Sequence, residues 1–169
     1  MTKKILYIDM DNVIVDFKSG LDRVSEELRD QYRGDEDEIP GIFSHMDPMP
    51  GAIEAVKQLG EMFDLYILST APWRNPSAWS DKLEWVHKNL GYDKEDIAHK
   101  RLILSHHKNL NIGNFLIDDR PNNGAWKFGG EWVHFGDGRN HKTGTLCDLH
   151  SEHTFLTWAD VVNYLGMRR

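Results

Sequence analysis

Short apolar runs, each closed by a charged or hydroxyl-bearing residue, alternate along the chain with stretches of helical period. Residues 4–9 (KILYID) are apolar, contain a β-branched side chain and end in a carboxylate, the pattern of a buried strand that delivers charge at its C-terminal end. Residues 17–33 carry Leu21, Val24 and Leu28 at helical spacing and end near Gly34, which predicts a helix with a C′ glycine. Residues 35–41 (DEDEIPG) read as an exposed acidic turn. Pro50 and Gly51 then open a helix with Ile53, Val56 and Leu59 on one face, and residues 64–69 (DLYILS) form a second buried strand. A further helix over 77–90 places Leu83, Val86 and Leu90 on its buried stripe and stops at Gly91. Residues 102–104, 115–117 and 132–135 supply three more strands, and Thr157 with Asp160 forms a capping box that starts a last helix through Leu165. Strands alternating with helices predict an α/β fold built on a doubly wound parallel sheet. Its core comprises residues 1–16 and 50–169, and a small helical insertion spans 17–49.

Composition narrows the class. A chain of 169 residues fits one domain, and 40% apolar with 11% aromatic residues can fill its interior. The formal charge of −7 provides no basic footprint for a nucleic-acid polymer or an anionic membrane. The single cysteine, Cys147, excludes an internal disulfide framework and fits a reducing compartment. The apolar run behind the basic N-terminus, residues 5–8, is too short for a signal peptide, and no window approaches a membrane span. A soluble cytoplasmic protein is the expectation.

In parallel sheets, ligands bind beyond the carboxyl ends of the strands. Here those positions hold Asp9-Met10-Asp11-Asn12, Ser69-Thr70-Ala71-Pro72, His107-Lys108 and Asp118-Asp119-Arg120. Any one of these aspartates is unremarkable as a turn or cap residue. Together they place four carboxylates on one rim, where like charges about 4 Å apart repel by on the order of 4 kcal/mol per pair at an effective dielectric of 20. Such a rim calls for a cation, and all-oxygen ligation suits Mg²⁺ bound jointly with a substrate phosphate.

The ordered set of D-x-D, Thr, Lys and D-D resembles the haloacid dehalogenase superfamily of phosphohydrolases. Within it, DMDNVIVDF, MPGAIEAV, ILSTAPW and LIDDRP resemble the 5′(3′)-deoxyribonucleotidase family, with two departures: Asn12 stands where a glycine is often found, and the insertion is short. The resemblance implies a Mg²⁺-dependent phosphomonoesterase that hydrolyses nucleoside 5′-monophosphates. Asp9 would be the nucleophile that forms an aspartyl phosphate, and Asp11 the general acid and base. Mg²⁺ would be held by the Asp9 side chain, the Asp11 backbone carbonyl and the Asp118-Asp119 pair, Asp119 foremost. Thr70 and Lys108 would bind the phosphate, while Phe17 and Trp73 would enclose the nucleoside beneath a cap that also contributes Phe43. Sugar phosphates or other small phosphomonoesters are the alternative substrates. A phospho-accepting receiver module uses similar groups, but receivers place adjacent acids first and the accepting Asp later, the reverse of the order here.

Other signals are weaker. Cys147, His150 and His153, with His141 nearby, fit no closed zinc site and read as a polar loop. His106 and His107 either line the pocket or lie in an exposed loop. Trp79, Trp85, Trp126, Trp132 and Trp158 read as core or helix-packing residues.

Overall fold

A computed structural model describes residues 2–138, 151 and 153–169. The chain opens with β1 (Ile5–Ile8), then β2 (Val15–Asp16), α1 (Phe17–Leu21), α2 (Glu26–Gln31) and β3 (Asp47–Pro48). It continues through α3 (Ala52–Met62), β4 (Asp64–Ser69), α4 (Ser77–Leu90), β5 (Leu102–Leu104), β6 (Phe115–Asp118), β7 (Glu131–Phe135), β8 (His153–Phe155) and α5 (Trp158–Gly166). Six strands form one parallel sheet in the order β5-β4-β1-β6-β7-β8. The chain leaves central β1 toward β4 and β5, then crosses to β6 and β7, so the topological switch point lies at β1. Its carboxyl end is where a ligand site belongs.

Alternation along the strands divides the core. Leu6 and Ile8 join a large apolar cluster with α3, α4 and α5, whereas Tyr7, Leu68, Leu116 and Trp132 point to the opposite face. That second face is closed by Ala125 and Phe128, at a short 3₁₀ segment. The N-cap half of the box expected at α5 is present, Thr157 Oγ1 accepting from the Asp160 amide at 3.2 Å, but the Asp160 carboxylate accepts from the Thr157 hydroxyl rather than from its backbone amide. β7 matches the expected fifth strand, and β8 extends the sheet through a strand that the apolar pattern did not reveal.

Three local expectations need correction. The helix expected over 17–33 is two short ones, because Ser25 caps a new start by accepting from the Leu28 amide at 3.3 Å. Leu21, Val24 and Leu28 still pack on the core. On α4 the buried face is rotated: Leu83 is exposed, and Lys82 and Trp85 turn inward. Finally, Trp79 and Trp126 lie at the surface rather than in the core. Trp85, Trp132 and Trp158 are buried as expected, and each indole N–H finds a carbonyl: Trp85 at Met46, Trp132 at Asp118 and Trp158 at Val13.

The antiparallel pair β2–β3 brings the two ends of the 17–46 segment together. Ile39, Ile42, Phe43 and Met46 of that segment join the main apolar cluster. The acidic turn is not wholly solvated. Buried Asn75 donates to the Asp37 and Ile39 carbonyls at 3.0 and 2.9 Å, and the Arg74 amide donates to Glu38 at 3.3 Å. The segment is thereby tied to the loop that follows Thr70.

Candidate active site

Four strand ends converge on one rim. Asp9 follows β1, its amide donating to the Ile117 carbonyl at 2.9 Å, so the carboxylate is held beside β6. Asp118 closes β6 and Asp119 follows it; both are buried, as is Asp9. One carboxylate oxygen from each of Asp9, Asp118 and Asp119 lies within 4.8 Å of the others. Lys108, on the 3₁₀ turn after β5, reaches into this group and contacts Asp9 Oδ1 at 2.9 Å and Asp118 Oδ2 at 2.5 Å. Burial works against its ammonium, but the Asp118 and Asp9 carboxylates outweigh that and hold its pKa above the ordinary lysine value. Lys108 therefore stays charged.

The negative charge is not fully matched. Burial pushes the Asp118 carboxyl up against the pull of Lys108, and neighbouring Asp9 and Asp119 push it further. Arg120 adds a cation at the rim, its Nε 3.4 Å from Asp119 Oδ1, with its side chain 32% exposed. Three buried, mutually close carboxylates of pure oxygen chemistry fit a small hard divalent cation. Asp119 is also anchored from behind, where His134 Nε2 meets its backbone carbonyl at 3.0 Å.

Asp11 stands apart from that trio. Its carboxylate accepts from Lys82 Nζ through both oxygens, at 2.8 and 2.7 Å. Burial raises its pKa, with Lys82 opposing and Asp9 reinforcing the rise. The turn that follows Asp11 runs through Asn12 at φ 59°, a left-handed conformation that Asn tolerates, which explains how Asn serves where glycine is often found. The Asn12 side-chain amide approaches Asp119 at 3.4 Å.

The remaining sequence-predicted residues scatter more. Thr70 Oγ1 donates to the Ser105 carbonyl at 2.8 Å. Phe17 packs edge-on against Phe43, ring centroids 6.0 Å apart, both within or beside the main apolar cluster. Trp73 is 80% exposed and meets His106 edge-on at 5.7 Å, while Trp79 flanks the same imidazole at 6.4 Å. His107 is exposed. His141, Cys147 and His150 lie outside the described residues, and His153 sits in β8. Lys82, Asn75 and Arg120 were missed as site residues. Arg120 alone had a sequence signal, its position directly after the Asp pair.

A parallel sheet with this acidic switch point defines a hydrolase fold of the haloacid dehalogenase type. Solved structures agree: a haloacid dehalogenase family hydrolase from Deinococcus radiodurans with bound phosphate and sodium has a TM-score of 0.59 at 15% identity, covering 98% of this chain and 96% of that one. A magnesium-bound hydrolase of the same type from Bacillus subtilis has a TM-score of 0.58 at 12% identity, covering 98% and 99%. The family is more specific. Residues 37–165 match the model of the cytosolic type C 5′-nucleotidase family (deoxy, pyrimidine), and the chain belongs to that family. A protein of Vibrio phage KVP40, provisionally named a 5′(3′)-deoxyribonucleotidase, is 56% identical over 155 residues, covering 92% of this chain and 85% of its own. A Staphylococcus epidermidis protein with the same provisional name is 29% identical over 190 residues, covering 98% of both chains. The protein is a phosphoric monoester hydrolase. Among the described residues, no helix is long and apolar enough to cross a membrane.

Proposed function

We propose that this hydrolase removes phosphate from (deoxy)ribonucleoside 5′-monophosphates with Mg²⁺ as cofactor and an aspartyl phosphate as intermediate. The convergence of Asp9, Asp118 and Asp119 around Lys108 is the observation that carries this reading. Asp9, Asp119 and Asp118, with the Asp11 backbone carbonyl, would hold Mg²⁺, which when bound offsets the repulsion between the carboxylates and a phosphate dianion.

An Asp9 oxygen attacks phosphorus, forming an O–P bond as the bond to the sugar oxygen breaks. Asp11 gives its proton to that oxygen; burial, by raising its pKa, favours the protonated state this step needs. In the second step Asp11 takes a proton from water as the water oxygen attacks phosphorus; the Asp9 O–P bond breaks, the Asp9 carboxylate is restored and inorganic phosphate leaves. Lys108 stabilises charge on the transferring group, and the Thr70 hydroxyl exchanges its Ser105 bond for a phosphate oxygen. Residues 17–49 serve as a cap over this rim, with Phe17 and Trp73 facing the nucleoside. The relatives' provisional names support a nucleotide substrate over a sugar phosphate.

A screen of ribo- and deoxyribonucleoside monophosphates against sugar phosphates at fixed Mg²⁺ tests the substrate. Asp9→Asn tests the mechanism: turnover should fall by about four powers of ten or more with the fold retained. Substantial activity in that variant, or full activity in excess chelator, would overturn it.

A further inference from the structure

Lys82 is a lysine with no exposed side-chain surface, carried by a helix rather than a strand end, and the chemistry assigned so far does not use it. Its ammonium is fully engaged. Two donors meet the two oxygens of Asp11 at 2.8 and 2.7 Å, and a third meets Ser69 Oγ at 3.0 Å. The Phe43 ring covers the ammonium with its centroid 4.5 Å from Nζ. Burying a long, charged side chain is costly unless every donor is met, and here every donor is.

The result is a directed carboxylate. Asp11 is held through both oxygens by one ammonium, and its carboxylate stands outside the trio of Asp9, Asp118 and Asp119. The helix that supplies Lys82 is itself pinned to the 17–46 segment, since Trp85, three residues on, donates to the Met46 carbonyl at 2.9 Å. Phe43, above the ammonium, belongs to the same segment and touches Phe17.

We propose that Lys82 is the positioning residue for proton transfer: it aims the Asp11 carboxyl at the leaving oxygen and keeps it away from the acidic trio, within a pocket roofed by Phe43. The inference rests on the reading of Asp11 as acid and base, and it predicts a failure of proton transfer rather than of phosphate binding. A positioned acid matters most when the leaving group is poor.

The test compares wild type, Lys82→Met and Asp11→Asn, all with saturating Mg²⁺, on a deoxyribonucleoside monophosphate and a series of aryl phosphates of increasing leaving-group acidity. Lys82→Met should lose about 100-fold in kcat on the nucleotide, within the usual range for acid–base catalysis. It should lose less than about fivefold in the formation of phosphoenzyme from 2,4-dinitrophenyl phosphate, whose leaving group needs no proton. Because the second step also needs Asp11, acid quenching should trap more phosphoenzyme in the variant than in wild type. Inhibition by inorganic phosphate should be unchanged. Equal losses across the leaving groups, or weakened phosphate inhibition, would overturn the assignment and make Lys82 a phosphate contact or a fold element. If Lys82→Met melts below assay temperature, Lys82→Arg decides: it keeps the charge but misplaces it, and must show the same steepened leaving-group dependence. If Asp11→Asn shows no such dependence, the acid role of Asp11 falls and this inference with it. If Asp11→Asn shows it and the Lys82 variants do not, only the assignment of Lys82 fails.

Discussion

Two buried lysines serve different carboxylates, Lys108 those of Asp9 and Asp118 and Lys82 that of Asp11, and the protein builds the two pairings by different means. Lys108 sits at the sheet rim among groups delivered by strand ends, where it and the partly exposed Arg120 face three converging carboxylates and charge remains to be balanced. Lys82 sits on the wall between α4 and the 17–46 segment, where one cation faces one carboxylate and every donor is met. The rim is a site short of positive charge, suited to a metal and a phosphoryl group. The wall is electrically closed, suited to holding one side chain still.

Removing each lysine should break the comparison in opposite ways, and the larger effect is at the rim. Lys108→Met leaves buried carboxylates without their partner, a change that typically costs about 3–5 kcal/mol. For a domain of this size the melting temperature should fall by on the order of 10 °C. Mg²⁺ should restore more stability to this variant than to wild type. In Lys82→Met the Mg²⁺-induced shift should match wild type, because the Asp11 side chain is outside the converging trio. Calorimetry with and without Mg²⁺ measures both, and equal shifts in all three proteins would erase the distinction between rim and wall.

The difference also explains what could be read from the sequence. A strand end is a one-dimensional feature: an apolar run stops and the next residue is at the rim, so Asp9, Thr70 and Asp118 could be named in order, and Lys108 a few residues beyond β5. A helix is read through its apolar stripe. On α4 the pattern of Leu83, Val86 and Leu90 points one way, but Trp85 and the stem of Lys82 are what fill the interior, and Leu83 is left outside. A lysine counts as polar in any such pattern, so its burial depends on a partner 71 positions away, at Asp11. Asn75 was hidden for the same reason, since its targets are backbone carbonyls that no residue type marks. The strand β8 is short, with none of its residues fully buried, and lacks a continuous apolar run.

Protonation offers a finer probe of the rim. Asp118 has its pKa raised in the folded state by burial and by Asp9 and Asp119, so the metal-free native protein binds protons more readily than the unfolded chain. This contribution favours folding at low pH and is lost as pH rises through the folded-state pKa. Protons and Mg²⁺ then compete for the same oxygens. The stabilisation by Mg²⁺, about 2.7 kcal/mol at a hundredfold excess over Kd, should therefore be larger at pH 7.5 than at pH 5.5. Thermal melts at the two pH values check the sign; a larger shift at pH 5.5 would remove the carboxylate trio as the metal site.

Asn75 makes a different tie, from the loop after Thr70 to the 17–46 segment. Asn75→Ala leaves the buried carbonyl of Ile39 and the half-buried one of Asp37 without their donor, which should cost about 1–3 kcal/mol. If these bonds also hold the cap over the site, KM for a nucleoside monophosphate should rise while turnover of p-nitrophenyl phosphate stays near wild type. A stability loss without that split in KM would confine Asn75 to the fold.

The smallest effect is expected at Trp73, where the fold has least at stake. Its ring is 80% exposed and touches His106 only edge-on, so Trp73→Ala should leave the melting temperature within about 1 °C of wild type. Phe17 differs, because it packs against Phe43 and the core, and its truncation should cost stability as well as activity. An aromatic face that stacks on a nucleobase contributes about 1–3 kcal/mol, by analogy with single-stranded nucleic-acid platforms. A ring as open to solvent as Trp73 belongs at the lower end, which predicts about a fivefold loss in kcat/KM on a nucleoside monophosphate. Turnover of p-nitrophenyl phosphate, which has no base to stack, should be unchanged. Equal losses on both substrates would place Trp73 in the phosphate-binding loop's own geometry, and no loss on either would leave Phe17 as the sole aromatic contact proposed for the nucleoside.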